Sequence, residues 1–220
     1  MQNARILFCP LFPLILTLTF AFISLQVLGQ NKAKATVIPI DSSFSVAAVA
    51  KKIKRDFPLA IPAIDSLPEG VQEYRNMVYA TLEDTRYGKR ELHLDIFRPQ
   101  KDERRELAAV IMINGGGWRS GTRSMQVPMA QMLAARGFVT IPVEYQLSLE
   151  AKFPAAVHNI KSAIRWVKAN SRKYHIDTAR IAVFGCSAGG QLAALTGLTN
   201  NIPFFEGRQG ITATDSNRVN

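Results

Sequence analysis

Histidine and cysteine are both scarce in this 220-residue chain. There are three histidines, His93, His158 and His175, and two cysteines, Cys9 and Cys186. So few cysteines exclude a disulfide framework as the source of stability, which must come from a hydrophobic core. Acidic residues are also short, 17 against 27 Lys and Arg, giving a formal charge of +10. The excess is spread along the chain (Lys51, Lys52, Lys54, Arg55; Arg104, Arg105; Arg172, Lys173) and is not clustered among aromatics. That pattern argues against nucleic-acid recognition and leaves a general attraction to anionic surfaces or acidic glycans. There is no internal repeat and no low-complexity tract. Nothing suggests a metal or an organic cofactor. A composition of 47% hydrophobic and 20% charged residues suits one compact α/β domain.

The one long apolar run lies at the start. A short positive leader, Met1-Gln2-Asn3-Ala4-Arg5, precedes an apolar stretch over residues 6–28, and Val27-Leu28-Gly29 offers the small or apolar residues that a signal peptidase reads. Residues 1–29 are therefore expected to be a signal peptide cleaved before Gln30. The mature chain would then be secreted or periplasmic, with no stable membrane association. The alternative is an uncleaved N-terminal membrane anchor. After cleavage only Cys186 would remain, expected to be a small buried filler.

Residues 30–70 read as an N-terminal arm. It carries one amphipathic helix over residues 46–56, followed by the breakers Pro58, Pro62 and Pro68. Residues 71–220 alternate strands with helices. Met77-Val78-Tyr79-Ala80-Thr81-Leu82 and Leu92-His93-Leu94-Asp95-Ile96-Phe97 form a predicted hairpin around Tyr87-Gly88-Lys89. The apolar run over residues 108–113 is expected to be a strand buried on both faces. A helix over residues 125–136 ends at Gly137, and a strand follows over residues 138–143. A long helix is expected from Pro154 to about Tyr174, with Val157, Ile160, Ile164 and Val167 as its apolar stripe. The class is α/β, with a mostly parallel central sheet flanked by helices and reactive groups on loops at the carboxyl ends of strands.

Two segments carry chemistry. The apolar Arg180-Ile181-Ala182-Val183-Phe184 runs into Gly185-Cys186-Ser187-Ala188-Gly189, then into the helix-compatible Gln191-Leu192-Ala193. Gly-x-Ser-x-Gly between strand and helix marks a turn that holds a serine hydroxyl clear of a sheet. The second segment is Asn114-Gly115-Gly116-Gly117-Trp118-Arg119-Ser120-Gly121, which follows the buried strand. Successive glycines let backbone N–H groups converge on a developing oxyanion, where one donor is worth ~3 kcal/mol. A phosphate-cradling loop is the competing reading, and this segment lacks the Lys-Ser/Thr ending of a P-loop. A serine also needs a base to take its proton. No histidine follows Ser187. His158 shares a helix face with Lys161, Arg165, Lys168 and Arg172, which reads as solvated. His93 falls on the outer face of an early strand, and His175 lies at the wrong end of the sheet.

Taken together, the Gly-Gly-Gly-Trp loop, Glu144-Tyr145-Gln146-Leu147-Ser148, Phe153-Pro154-Ala155-Ala156 and Ser187-Ala188-Gly189-Gly190 resemble the α/β-hydrolase esterases. The closest resemblance is to secreted bacterial carboxylesterases of the feruloyl/acetyl-esterase (BD-FAE-like) and hormone-sensitive-lipase-like kind, over roughly residues 76–220. The resemblance implies an α/β-hydrolase fold and hydrolysis of small-molecule or polysaccharide-linked esters. It also implies Ser187 as nucleophile and the N–H groups of Gly116, Gly117 and Ala188 as the oxyanion hole. Two departures stand out: Asn114 occupies a position usually held by a loop-bracing histidine, and the family's acid and histidine lie well downstream of the serine. The chain is accordingly expected to be the N-terminal portion of such an esterase, incomplete at its C-terminus and inactive by itself. Rival readings are a prolyl-oligopeptidase-like peptidase and a non-catalytic binding protein that kept the fold.

Overall fold

The computed structural model describes residues 37–61, 66–100, 105–207 and 219. The signal-peptide expectation therefore lies outside the described residues. Helix α1, Val46–Asp56, coincides with the predicted amphipathic helix and is capped by Ser45, whose hydroxyl accepts from the Ala48 N–H at 3.2 Å. It is followed by strands β1 (Val71–Thr85) and β2 (Gly88–Pro99), which form the expected hairpin with longer arms. Strand β3 spans Leu107–Ile113 and β4 spans Val139–Val143. Between them a single 3₁₀ turn, Arg123–Gln126, leads into helix α2, Val127–Ala134. Gly137, at φ 97°, turns the chain back towards β4.

The sequence expectation of one helix to about Tyr174 needs correction. Helix α3 spans Ala155–Ala169 and stops at Asn170, whose side-chain amide donates to the Trp166 carbonyl at 2.8 Å. Helix α4, Ser171–Tyr174, is a separate turn. The break buries the Tyr174 ring against Trp166 and Tyr74, an aromatic contact that a straight helix would not make. Strand β5 (Ile176–Gly185) and helix α5 (Ala188–Leu198) follow, then the short helix α6, Pro203–Glu206.

The sheet order is β1-β2-β4-β3-β5. β3, β4 and β5 are parallel, whereas β1 and β2 add an antiparallel margin. The parallel strands behave as their uninterrupted apolar runs require: Ile111, Ile113, Ile141 and Val143 have no solvent exposure. The stripe Val157, Ile160, Ile164 and Val167 of α3 is likewise fully buried on one face of the sheet. Register then fixes the working end, because Ile113 pairs with Val143 on one side and Gly185 on the other. The loops after β3, β4 and β5 therefore leave the sheet side by side.

The face of α3 bearing Lys161 and Arg165 is not solvated as expected. Both side chains are buried under residues 199–207. Lys161 Nζ donates to the Thr199 carbonyl at 2.6 Å and pairs with Glu206 Oε1 at 2.8 Å, while Arg165 Nη1 donates to the Glu206 carbonyl at 3.1 Å. Buried cations are tolerated because carbonyls and a carboxylate meet them.

Candidate active site

Ser187 sits between β5 and α5 at φ 54°, ψ −123°. For a residue with a Cβ this backbone costs about 1–3 kcal/mol and persists only when its surroundings over-determine it. They do so here through glycines. A Cβ on Gly185 would overlap the Gly189 carbonyl, and one on Gly189 would overlap the Ile113 carbonyl, so the bend closes only if both positions lack side chains. The turn is held by the Gly189 N–H donating to the Cys186 carbonyl at 3.0 Å. Its outcome is an exposed Ser187 at the head of a helix whose next residue, Ala188, is buried. Cys186 is exposed as well, contrary to its expected burial, and continues the exposed positions Ala182 and Phe184 of the edge strand β5.

The triple-glycine loop passes beside this bend. A Cβ built on Gly115 would lie 3.3 Å from Ser187 Cβ and 2.7 Å from the Cys186 carbonyl oxygen. Gly116 and Gly117 have φ 118° and 61°, conformations open to glycine, and their N–H groups donate to no backbone carbonyl among the described residues. The Ala188 N–H opens a helix and has no intrahelical partner. The contact of Gly115 with Ser187, and of Gly189 with the Ile113 and Asn114 carbonyls, sets the loop that continues into Gly116 and Gly117 beside the Ser187–Ala188 bend.

The loop is braced from below. Asn114 is buried, and its side-chain amide donates to the Gly115 carbonyl at 2.9 Å, an amide where a histidine was the expected brace. The buried Tyr145 hydroxyl donates to the Asn114 carbonyl at 3.0 Å, and burial pushes its pKa up to about 12, so it stays a donor at neutral pH. A further tie comes from the N-terminal arm. The Asp41 N–H donates to the Arg119 carbonyl at 3.1 Å, and the two side chains pair at 3.7 Å. Bonds from the Ser43 hydroxyl and N–H, with the Arg119 charge, hold the Asp41 carboxyl below its ordinary range. No sequence pattern signals Asp41, since its partner lies 78 positions away.

A polar network sets the neighbouring strand end. Glu144 meets Arg90 Nη2 at 2.5 Å, the His93 ring at 3.3 Å and Arg123 at 3.5 Å. Arg90 also reaches Glu150 at 3.0 Å, which takes a further bond from Gln146 at 3.2 Å. Burial opposes the Arg90 charge, but the bonds and fields of Glu144 and Glu150 outweigh it and raise its pKa. This network fixes the segment that walls a cavity of about 320 Å³, together with Gly117, Trp118, Phe153, Val157 and Leu192. The volume falls within the range of small-ligand sites.

None of the three histidines reaches Ser187. His93 alternates with the fully buried Leu92 and Leu94, as expected, and is half-buried against Glu144. The His158 ring meets the Phe204 carbonyl at 2.8 Å, and His175 precedes β5 at the opposite end of the sheet.

This geometry of strand, tight serine bend and glycine loop agrees with the comparisons. The family model described as BD-FAE matches residues 94–220. The chain belongs to the BD-FAE family. It is 34% identical over 182 residues to the esterase LipC of Mycobacterium tuberculosis, covering 81% of this chain and 45% of LipC. Among solved structures, the esterase Est2 from the planctomycete Thermogutta terrifontis superposes with a TM-score of 0.57 at 29% identity, covering 69% of this chain and 51% of that one. A truncated carbohydrate esterase from gut microbiota gives 0.54 at 28% identity, covering 72% and 56%. The five-stranded sheet is thus that of an α/β-hydrolase. This BD-FAE chain spans half or less of the length of the relatives LipC, LipM, LipQ and the arylesterase of Saccharolobus solfataricus.

Proposed function

We propose that the protein is a serine hydrolase of carboxylic esters. In this reading Ser187 Oγ attacks the ester carbonyl, and the N–H groups of Gly116, Gly117 and Ala188 receive the oxyanion. The alcohol leaves with a proton, and water then releases the acyl group from Ser187. The observation that carries the reading is the strained Ser187 bend packed against Gly115. Relatives named as esterases and a carbohydrate esterase support the ester class, so acetyl or feruloyl esters on plant polysaccharides are the substrates to try first. We place the protein outside the cell, as the leader of residues 1–29 suggests.

The mechanism requires a base, and His93, His158 and His175 are each engaged away from Ser187. Residues 1–220 by themselves are therefore expected to be close to inactive, at the about 10³–10⁴-fold over water left when a triad loses a member. Hydrolysis of p-nitrophenyl acetate by these residues, with and without Ser187→Ala, checks this. Rapid turnover abolished by the substitution would locate the base inside these residues. Rapid turnover that survives it would remove Ser187 from the role.

A further inference from the structure

Helix α1 is amphipathic, yet none of its residues is buried. Val46, Val49, Ala50 and Ile53 recur at helical spacing along one face, and Phe57 continues the stripe beyond the C-terminus. Lys51, Lys52, Lys54 and Arg55 occupy the rest of the circumference, against the single acid Asp56, which pairs with Lys52 and Arg55. Ile53 is 43% exposed, and after the turn at Phe57 and Pro58 the side chains of Leu59 and Ile61 are 96% and 91% exposed. A helix that serves only its own domain buries its apolar stripe. This one leaves the stripe accessible, continues it into an exposed apolar turn and surrounds it with cations. Those are the features of a helix that lies in the plane of a bilayer, with its apolar face among acyl chains and its lysines among headgroups.

We propose that α1 with the turn over residues 57–61 is a reversible docking element for anionic lipid surfaces. The charge selects the partner, because a net positive helix gains from an anionic headgroup layer what a zwitterionic layer does not supply. The apolar stripe distinguishes a bilayer from a soluble polyanion, which would engage the cations alone. With 11 residues, α1 is far shorter than the ~20 needed to cross a bilayer, so its contact is interfacial. It is a peripheral and salt-sensitive association, which departs from the sequence expectation of no stable membrane association. The site is close to hand: Asp41, tied to Arg119 at the cavity wall, is five residues from Val46, a reach of at most about 18 Å.

The test is co-sedimentation of the whole chain with phosphatidylcholine vesicles and with vesicles that also contain phosphatidylglycerol, at low and high salt. Binding is expected only to the anionic vesicles and should fall as salt rises. Lys51→Gln with Lys54→Gln should weaken it about 20- to 30-fold, at roughly fivefold per cation. Ile53→Ser should weaken it about tenfold or more by removing apolar area. Because no α1 side chain is buried, circular dichroism and denaturation midpoints should match the parent in every variant. Equal binding to both vesicle types, or to neither, would overturn the proposal. So would binding to polygalacturonate that matches the anionic vesicles and ignores Ile53→Ser, which would assign the cations to a soluble polyanion. A fall in the denaturation midpoint of Ile53→Ser would show instead that the stripe covers its own domain.

Discussion

At the scale of single residues, the bend at Ser187 depends on what its neighbours lack. Gly189 touches backbone, not side chain: an added Cβ would fall on the Ile113 carbonyl and lie 2.8 Å from the Asn114 carbonyl oxygen. Backbone at the end of a buried strand cannot move aside cheaply. Gly189→Ala is thus expected to cost at least about 1–3 kcal/mol, read as a lowered midpoint in urea. Gly117 offers a matched control, since its φ of 61° disfavours a side chain but the space around it is open. Gly117→Ala should cost only about 1 kcal/mol, the price of the left-handed backbone. Equal losses at the two positions would mean that strain, not close approach, decides which glycines matter. The glycine pattern made this much legible in the sequence. Cys186 was misread because it continues the exposed face of Ala182 and Phe184 on β5, the edge strand of the described sheet, which a reading of that strand as buried on both faces does not anticipate.

At the scale of elements, the strands and α1 were legible because period-2 and period-3.6 patterns are local properties. What escaped was created by contacts between distant segments. Lys161 and Arg165 looked solvated on their own helix, and only the return of residues 199–207 covers them. The end of α3 at Asn170 has no glycine or proline to announce it. The tie from Asp41 to Arg119 is likewise invisible until the arm is folded back. That tie has a defined pH response. A carboxyl whose folded pKa lies below its ordinary value of 3.8 contributes above that value, and the contribution is lost as pH falls through the folded pKa. The arm should stay fastened throughout the neutral range and loosen only in strong acid. Hydrogen exchange at the Ser43 amide, which donates to Asp41 at 2.9 Å, reports it. Asp41→Asn should lower the protection of that amide, its rate relative to an unfolded chain at the same pH, at neutral pH to the level that the parent reaches only in acid below about pH 4. Exchange that is unchanged in the variant would mean that the backbone bond alone fastens the arm.

At the scale of the whole molecule, register does most of the functional work. Pairing Ile113 with both Val143 and Gly185 sends the glycine loop, the Glu144–Glu150 segment and the Ser187 bend out of the same end of the sheet. Family membership follows from sequence over residues 94–220, yet the proposed chemistry rests on this alignment of three strand ends. In the proposed mechanism the Ser187 hydroxyl faces a group of backbone N–H donors set to hold negative charge. A fluorophosphonate, electrophilic enough to be driven onto an unassisted serine by long incubation at alkaline pH, tests it without requiring turnover, because the tetrahedral phosphorus places an oxygen where an oxyanion would form. In a crystal structure of the adduct, phosphorus is expected to be bonded to Ser187 Oγ, with its oxygen about 2.7–3.1 Å from at least two of the Gly116, Gly117 and Ala188 nitrogens. An adduct on another residue, or on Ser187 with that oxygen turned away from all three nitrogens, would contradict it.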